Sequence, residues 1–310
     1  MLGFKPIVPL RTIQQMTADP AKPFDRDLLK RRRNRIAAGA SDRDFLLQRV
    51  SEDITERVQI VQREFPKALN LGAHHGVLSR SLRSLANVGL VVDAEHSNGL
   101  LAHCDGPCVL CDEEALAFGD GDFDLIASGL SLQFVNDLPG TLVQIRRALK
   151  SDGLLLAALA GGETLKELRQ AWFLAEEEVI GGVSPRVAPF IDVRALGALS
   201  QRAGFALPVV DSDIVTVTYK TPLALMEELR AMGATNMLAA RRRVPVTRGL
   251  LTRVCEIYKE LFATDDGLVP ATFEILTLTA WVPHEDQPQP LKPGSAQISL
   301  TKVLGKNRDS

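Results

Sequence analysis

From residue 30 to residue 63 the chain has no proline and one glycine, and Leu46, Val50, Ile54, Val58 and Val61 recur at three- and four-residue steps. That spacing puts them on one face of an amphipathic helix, preceded by a short basic one. Ser41, with Asp44 three residues on, offers the helix start. After Pro66 the period changes. Five short apolar runs, ALNLGA, GLVVDA, CVLC, FDLIASGL and GLLLAAL, are spread over about ninety residues. Helix-like stretches at Val77–Ala86, Ser97–Leu101 and Leu138–Leu149 separate them, the last closed by KSDG, and this alternation predicts a parallel sheet with crossover helices.

Beyond that the alternation stops. Thr164–Val179 reads as a helix, GGVSPRVAPF (181–190) as a loop, and Val193–Ala203 as a helix closed by Gly204. Two later strands, Val209–Tyr219 and Ala271–Val282, flank about fifty mostly helical residues that include Pro222–Met232 and Thr247–Phe262. The expected organisation is a helical arm (1–64), an α/β body (65–283) with lid segments at 161–192 and 220–270, and a Pro-rich tail (284–310).

Composition changes this picture little. With 310 residues, 45% hydrophobic and 24% charged, the chain matches a soluble globular protein and excludes collagen-like, disordered and disulfide-dense classes. Its longest apolar runs, such as Leu154–Ala160, fall short of the roughly 18 residues a spanning helix needs, so no transmembrane segment is expected. The net charge of −2 gives no reason to expect nucleic acid or an anionic membrane as partner. Residues 1–63 nevertheless carry an excess of five positive charges and the remainder an excess of seven negative ones. The run KRRRNR (30–35) reads as a solvated helix face, and the basic arm as a docking element for a partner rather than part of a cofactor pocket. The opening segment lacks the apolar core of a signal peptide, which favours the cytoplasm, with an organellar address as the alternative.

The chemistry collects at strand ends. The first strand runs into Gly72-Ala73-His74-His75-Gly76 and then a helix, where α/β sheets hold nucleotides with backbone N–H groups. Asp93 is expected to end the second strand and accept ribose hydroxyls. Asp112 and Glu113 follow the third, within reach of an adenine amino group. Ser128 lies in ASGLSLQF at the end of the fourth, with Gln133 and Phe134 just beyond, where an amide orients a substrate and a ring walls a pocket. In this order the signals point to an adenosyl cofactor. A dinucleotide needs G-x-G-x-x-G, and His74 and Val77 occupy the second and third glycine positions. Gln133 is the candidate catalytic residue; Arg186, Phe190, Asn236 and Arg241–Arg243 are candidate lid contacts.

The spacing Cys104-x3-Cys108-x2-Cys111 mimics a radical-enzyme cluster motif, but Cys108–Cys111 reads as a strand, where residues three apart face opposite sides. Buried thiols are expected instead, and no metal. His103-x-Asp105 lacks the placed third ligand of an iron triad.

The order of these segments resembles the class I S-adenosylmethionine-dependent methyltransferases, which implies a Rossmann-like seven-stranded α/β sheet ending in an antiparallel pair. The segments FDRDLLKRRR (24–33), LSLQFVNDLPGTLVQIRRALKSDG (130–153), GGETLKELR (161–169), GGVSPRVAPF (181–190), RAGF (202–205), DGLVPATFEI (266–275) and GSAQISL (294–300) resemble the family of mitochondrial complex I assembly factor 5 and its bacterial relatives. That resemblance implies S-adenosylmethionine as cofactor and hydroxylation of an arginine on a quinone-module subunit of complex I. The segment LSLQF is also similar to malonyl-carrier-protein O-methyltransferases, which implies the alternative reaction; a non-catalytic assembly scaffold is the third reading. Two positions depart from the family pattern: Asn70 stands where an acid is expected, and His74 where the loop has its middle glycine.

Overall fold

The computed structural model describes residues 22–287; the first 21 residues and the tail from 288, including GSAQISL (294–300), lie outside them. Seven strands form one sheet in the order β3-β2-β1-β4-β5-β7-β6. The strands β1 (Phe65–Leu71), β2 (Val88–Glu95), β3 (Cys108–Leu110), β4 (Phe123–Gly129) and β5 (Leu149–Ala160) are parallel. β7 (Val269–Trp281) runs antiparallel to β5, and β6 (Ala206–Tyr219) antiparallel to β7 at the edge. The seven-stranded α/β class read from the pattern is the fold observed.

Continuous apolar runs form the central strands because both faces of the sheet are covered. On one face α2 (Phe45–Ile60) and α3 (Val77–Arg83) pack Val50, Ile54, Val58, Leu78 and Leu82 against Ala68, Leu125, Leu154 and Leu156. On the other, α5 (Leu138–Ala148) and α7 (Val193–Arg202) bring Leu142, Ile145 and Leu196 onto Leu69, Ile126, Leu155 and Leu276. A third cluster joins α6 (Lys166–Ile180), α8 (Pro222–Ala231) and α9 (Arg248–Phe262) through Ala171, Trp172, Leu225, Val254 and Tyr258, with Phe273 of β7. Side-chain caps set where helices begin: Asp137, Asp192, Thr221 and Thr247 each accept a backbone N–H three residues on. The order of the parallel strands reverses between β1 and β4, and the carboxyl ends of these strands form the crevice where such sheets bind ligands.

Three expectations need correction. Ser41 does not start the long helix: it lies in a 3-10 segment, Ala37–Arg43, and α2 begins at Phe45 after Asp44. Asp44 binds no backbone N–H as a cap, because its carboxylate is drawn to Gln48 and His75 instead. The arginine run is not wholly solvated. In α1 (Arg26–Ile36), Arg33 is only 5% exposed, since the helix lies over the acidic ends of β2 and β3. Of the three clustered cysteines only Cys111 is buried; Cys108 is exposed, because β3 is a short edge strand.

Candidate functional site

The glycine loop shows why its residues are what they are. Gly72 has φ +69°, and a Cβ there would stand 2.2 Å from the Ser131 side chain, so only glycine fits. The N–H groups of Gly72 and Ala73 both donate to the Ala94 carbonyl, which ties the loop to the end of β2. His74 takes φ +54° and donates its N–H to the Glu95 carboxylate at 2.9 Å. Gly76, also left-handed, opens α3.

Asp93 does not end β2. The strand continues to Glu95, and Asp93 sits opposite Asn70 and Cys108 in the ladder. Its fully buried carboxylate accepts from Asn70 Nδ2 at 2.9 Å and from Arg83 at 2.7 Å. These bonds tie β1, β2 and α3 together, and the strand end expected at Asp93 falls two residues later, at Glu95. At the strand end Glu95, also fully buried, accepts from the N–H groups of His74 and Ser97 and from Arg33 at 3.1 Å.

The arm belongs to this site, which corrects its reading as a docking element alone. Arg26 donates to Asp112 at 2.5 Å and to Glu113, while Arg33 lies 3.5 Å from Glu113. Burial by itself would raise the Glu113 carboxyl, but Arg33 and Arg26, with the Ser131 hydroxyl, outweigh it and hold it lowered to about 2. His96, Asp112 and Glu113 bring one ligand atom each within 4.8 Å of one another, yet Arg26 already occupies both carboxylates. Among the buried side-chain oxygens left unpartnered in the described residues are Asn70 Oδ1 near the end of β1 and Ser128 Oγ near the end of β4.

Beside the carboxylate cluster lies a cavity of about 390 Å³ bordered by His74, Gln133, Phe134, Trp172, Arg186 and Phe190. Phe134 meets both Phe24 and Phe190 edge to face. Arg186 lies over the Trp172 ring at 4.4 Å and pairs with the buried Glu176, which also binds Ser184, so the 181–190 loop is latched down on α6. Asn236 borders the cavity and donates to the Pro185 carbonyl. Arg241 instead pairs with Asp25, and Arg242 and Arg243 are exposed, so that stretch does not line the cavity. His74, Leu130 and Leu165 all border it with positive φ. Strained backbone at about 1–3 kcal/mol each concentrates at sites the surrounding fold over-determines.

The structure thus brings Gln133, Phe134, Arg186 and Phe190 to one cavity, and Asp112 and Glu113 to the neighbouring cluster. Sequence reasoning missed Glu95, Arg26, Arg33, Asp44, Trp172 and Glu176. Glu95 left a signal, since it shares a strand face with Asp93 and stands two residues nearer the loop, and Arg26 and Arg33 lie within the segment FDRDLLKRRR (24–33).

Residues 69–157 match the methyltransferase domain family model. Over 286 residues, 90% of this chain and 89% of the relative, the chain is 38% identical to the mitochondrial arginine-hydroxylase NDUFAF5 of Danio rerio. The chain belongs to the NDUFAF5 arginine-hydroxylase family. The human NDUFAF5 arginine-hydroxylase is 39% identical over 91% of this chain and 83% of its own length. The family shares its fold with the S-adenosylmethionine-dependent methyltransferases. A malonyl-[acyl-carrier protein] O-methyltransferase of Gallionella capsiferriformans is 30% identical over 84% of this chain and 92% of its own. A solved phosphoethanolamine N-methyltransferase 2 of Haemonchus contortus, in complex with S-adenosyl-L-methionine, superposes with a TM-score of 0.51 at 16% identity over 80% of this chain and 57% of that one.

Proposed function

We propose that this chain hydroxylates an arginine side chain of a protein partner, a quinone-module subunit of respiratory complex I, during assembly. The observation that carries the reading is the near full-length similarity to arginine-hydroxylases, at 38–39% identity. The cavity beyond β4 supports it by offering a walled site large enough for one side chain. The reading places the protein in the bacterial cytoplasm, or in the mitochondrial matrix as the alternative.

The strand-end residues fit S-adenosylmethionine in kind. The orphaned Asn70 Oδ1 suits the cofactor's ammonium, and the Gly72–Gly76 loop, whose first glycine admits no Cβ, suits a close backbone approach. Glu95, in place of Asp93, suits the ribose hydroxyls; Asp112 and Glu113 suit the adenine amino group. Arg26 and Arg33 already hold these carboxylates, so an adenosyl ligand shares or displaces them. Bound S-adenosylmethionine supplies an electrophilic sulfonium centre, and the product mass decides whether its methyl group is used. Around it, Phe134, Phe190 and Trp172 exclude water and Gln133 orients the acceptor.

A second reading, O-methylation of a carrier-bound acid, is favoured by the relatives at 30–32% identity. Incubating the purified chain with the candidate subunit and with a malonyl-carrier substrate, followed by mass spectrometry, separates the two. One added oxygen on an arginine supports hydroxylation. One added CH2 on the carrier-bound acid overturns it, and no calorimetric binding of S-adenosylmethionine points to a scaffold.

A further inference from the structure

Asp44, His75 and His74 form a chain of hydrogen bonds that ends on the cavity. His75 Nε2 lies 2.9 Å from Asp44 Oδ2, and His75 Nδ1 lies 2.7 Å from His74 Nδ1. Asp44 and His75 are 9% and 3% exposed, so the fold rather than solvent holds them. An ionised carboxylate only accepts, which puts the His75 proton on Nε2 and leaves Nδ1 of the neutral ring as an acceptor. His74 then donates from Nδ1. Its Nε2 keeps a free lone pair and has no partner among the described residues.

Gln133, which borders the same cavity, carries a second acceptor. Gln133 donates from Nε2 to the Leu130 carbonyl at 2.8 Å, which orients its amide and leaves the buried Oε1 unpartnered. Of the arginines bordering the cavity, Arg33 pairs with Glu95, Arg186 with Glu176 and Arg43 with Glu228 at 3.8 Å, while Arg230 is exposed and has no ion-pair partner among the described residues.

We propose that the Asp44–His75–His74 relay makes His74 Nε2 a hydrogen-bond-accepting site for an N–H-bearing substrate group, with Gln133 Oε1 as the second acceptor. A guanidinium, with its fork of N–H donors, is the group this pair suits, and a carboxylate is the group it refuses. The assignment deepens the arginine reading and rests on the cavity being the substrate site. It concerns recognition only and involves no bond breaking.

The charged neighbours keep the relay in this state. His74 faces Arg33 from α1 and His75, and its own N–H points to Glu95 of β2. His75 faces Asp44 before α2, Arg80 of α3 on its carbonyl, and His103 after the short helix Asn98–Leu101. Burial, then Arg33 and His75, push His74 well below the ordinary imidazole range; burial also lowers His75, against the opposing pull of Asp44. His74 therefore stays a neutral acceptor at pH 7.

The test is nitrogen NMR on the full chain with labelled histidine, using His74→Gln and His75→Gln to assign two of the five rings. At pH 7 the expected pattern is His74 protonated on Nδ1 and His75 on Nε2, with methylguanidinium chloride shifting His74 Nε2 and acetate leaving it still. Asp44→Asn is expected to lower the His75 midpoint by about one unit or more. Should that variant fail to fold, His75→Gln breaks the relay from its middle and is expected to abolish the methylguanidinium response. The same tautomer in both rings, or a His74 response to acetate and not to methylguanidinium, overturns the proposal. These readouts need no turnover, so failure to find a hydroxylated product leaves them unchanged.

Discussion

Asp93 and Glu95 share a strand face and both are fully buried, yet their partners give them different work. Asp93 is saturated by Asn70 and Arg83, while Glu95 holds the glycine loop through the His74 N–H and stands at the strand end. Asp93→Asn is expected to cost about 1.5–3 kcal/mol of stability, the value of a hydrogen bond to a charged group, and to leave S-adenosylmethionine affinity unchanged. Glu95→Gln is expected to lower that affinity at least about tenfold, since about 1.4 kcal/mol is one decade. Melting curves and calorimetry on both variants decide it; an affinity loss confined to Asp93→Asn returns the ribose to Asp93. The first acid after an apolar run is the natural choice from sequence, but a strand's end is set by its pairing, which the run itself does not display.

At the scale of elements, α1 is a cover whose inner face is electrostatic as well as apolar. Leu29 is buried between Arg26 and Arg33, and the two arginines meet Asp112, Glu113 and Glu95. Arg33→Ala leaves two buried carboxylates short of a partner and is expected to cost about 3–5 kcal/mol in urea unfolding. Arg31→Ala, at an exposed position of the same helix, is expected to stay within about 0.5 kcal/mol. Equal effects of the two would show that α1 does not dock as described. The run KRRRNR discloses charge but not which side chain turns inward; that depends on acids 62 and 80 residues away.

Over the whole molecule, the carboxylate cluster couples stability to acid. The folded Glu113 carboxyl is lowered to about 2 from an ordinary 4.5, so its contribution is fully present above pH 4.5 and is lost as pH falls toward 2. Asp25, depressed by its bond to the Leu28 N–H and by Arg241 against the opposing effect of burial, adds in the same direction. Urea midpoints of the intact chain are expected to fall steeply between about pH 4.5 and pH 2.5, and less steeply in Arg33→Ala; parallel curves would remove the cluster as the cause. The chain by itself determined the α/β class, the parallel run, the helices α2, α5, α7, α8 and α9 within a few residues, and the glycine loop, because periodicity, caps and left-handed turns are local. Tertiary structure alone decided the end of β2, the inward arginines, the Glu176 latch and the Asp44–His75–His74 relay. Each joins side chains from different elements or fixes which face a residue shows, and such pairings exist only once the sheet and the helices that cover it have packed.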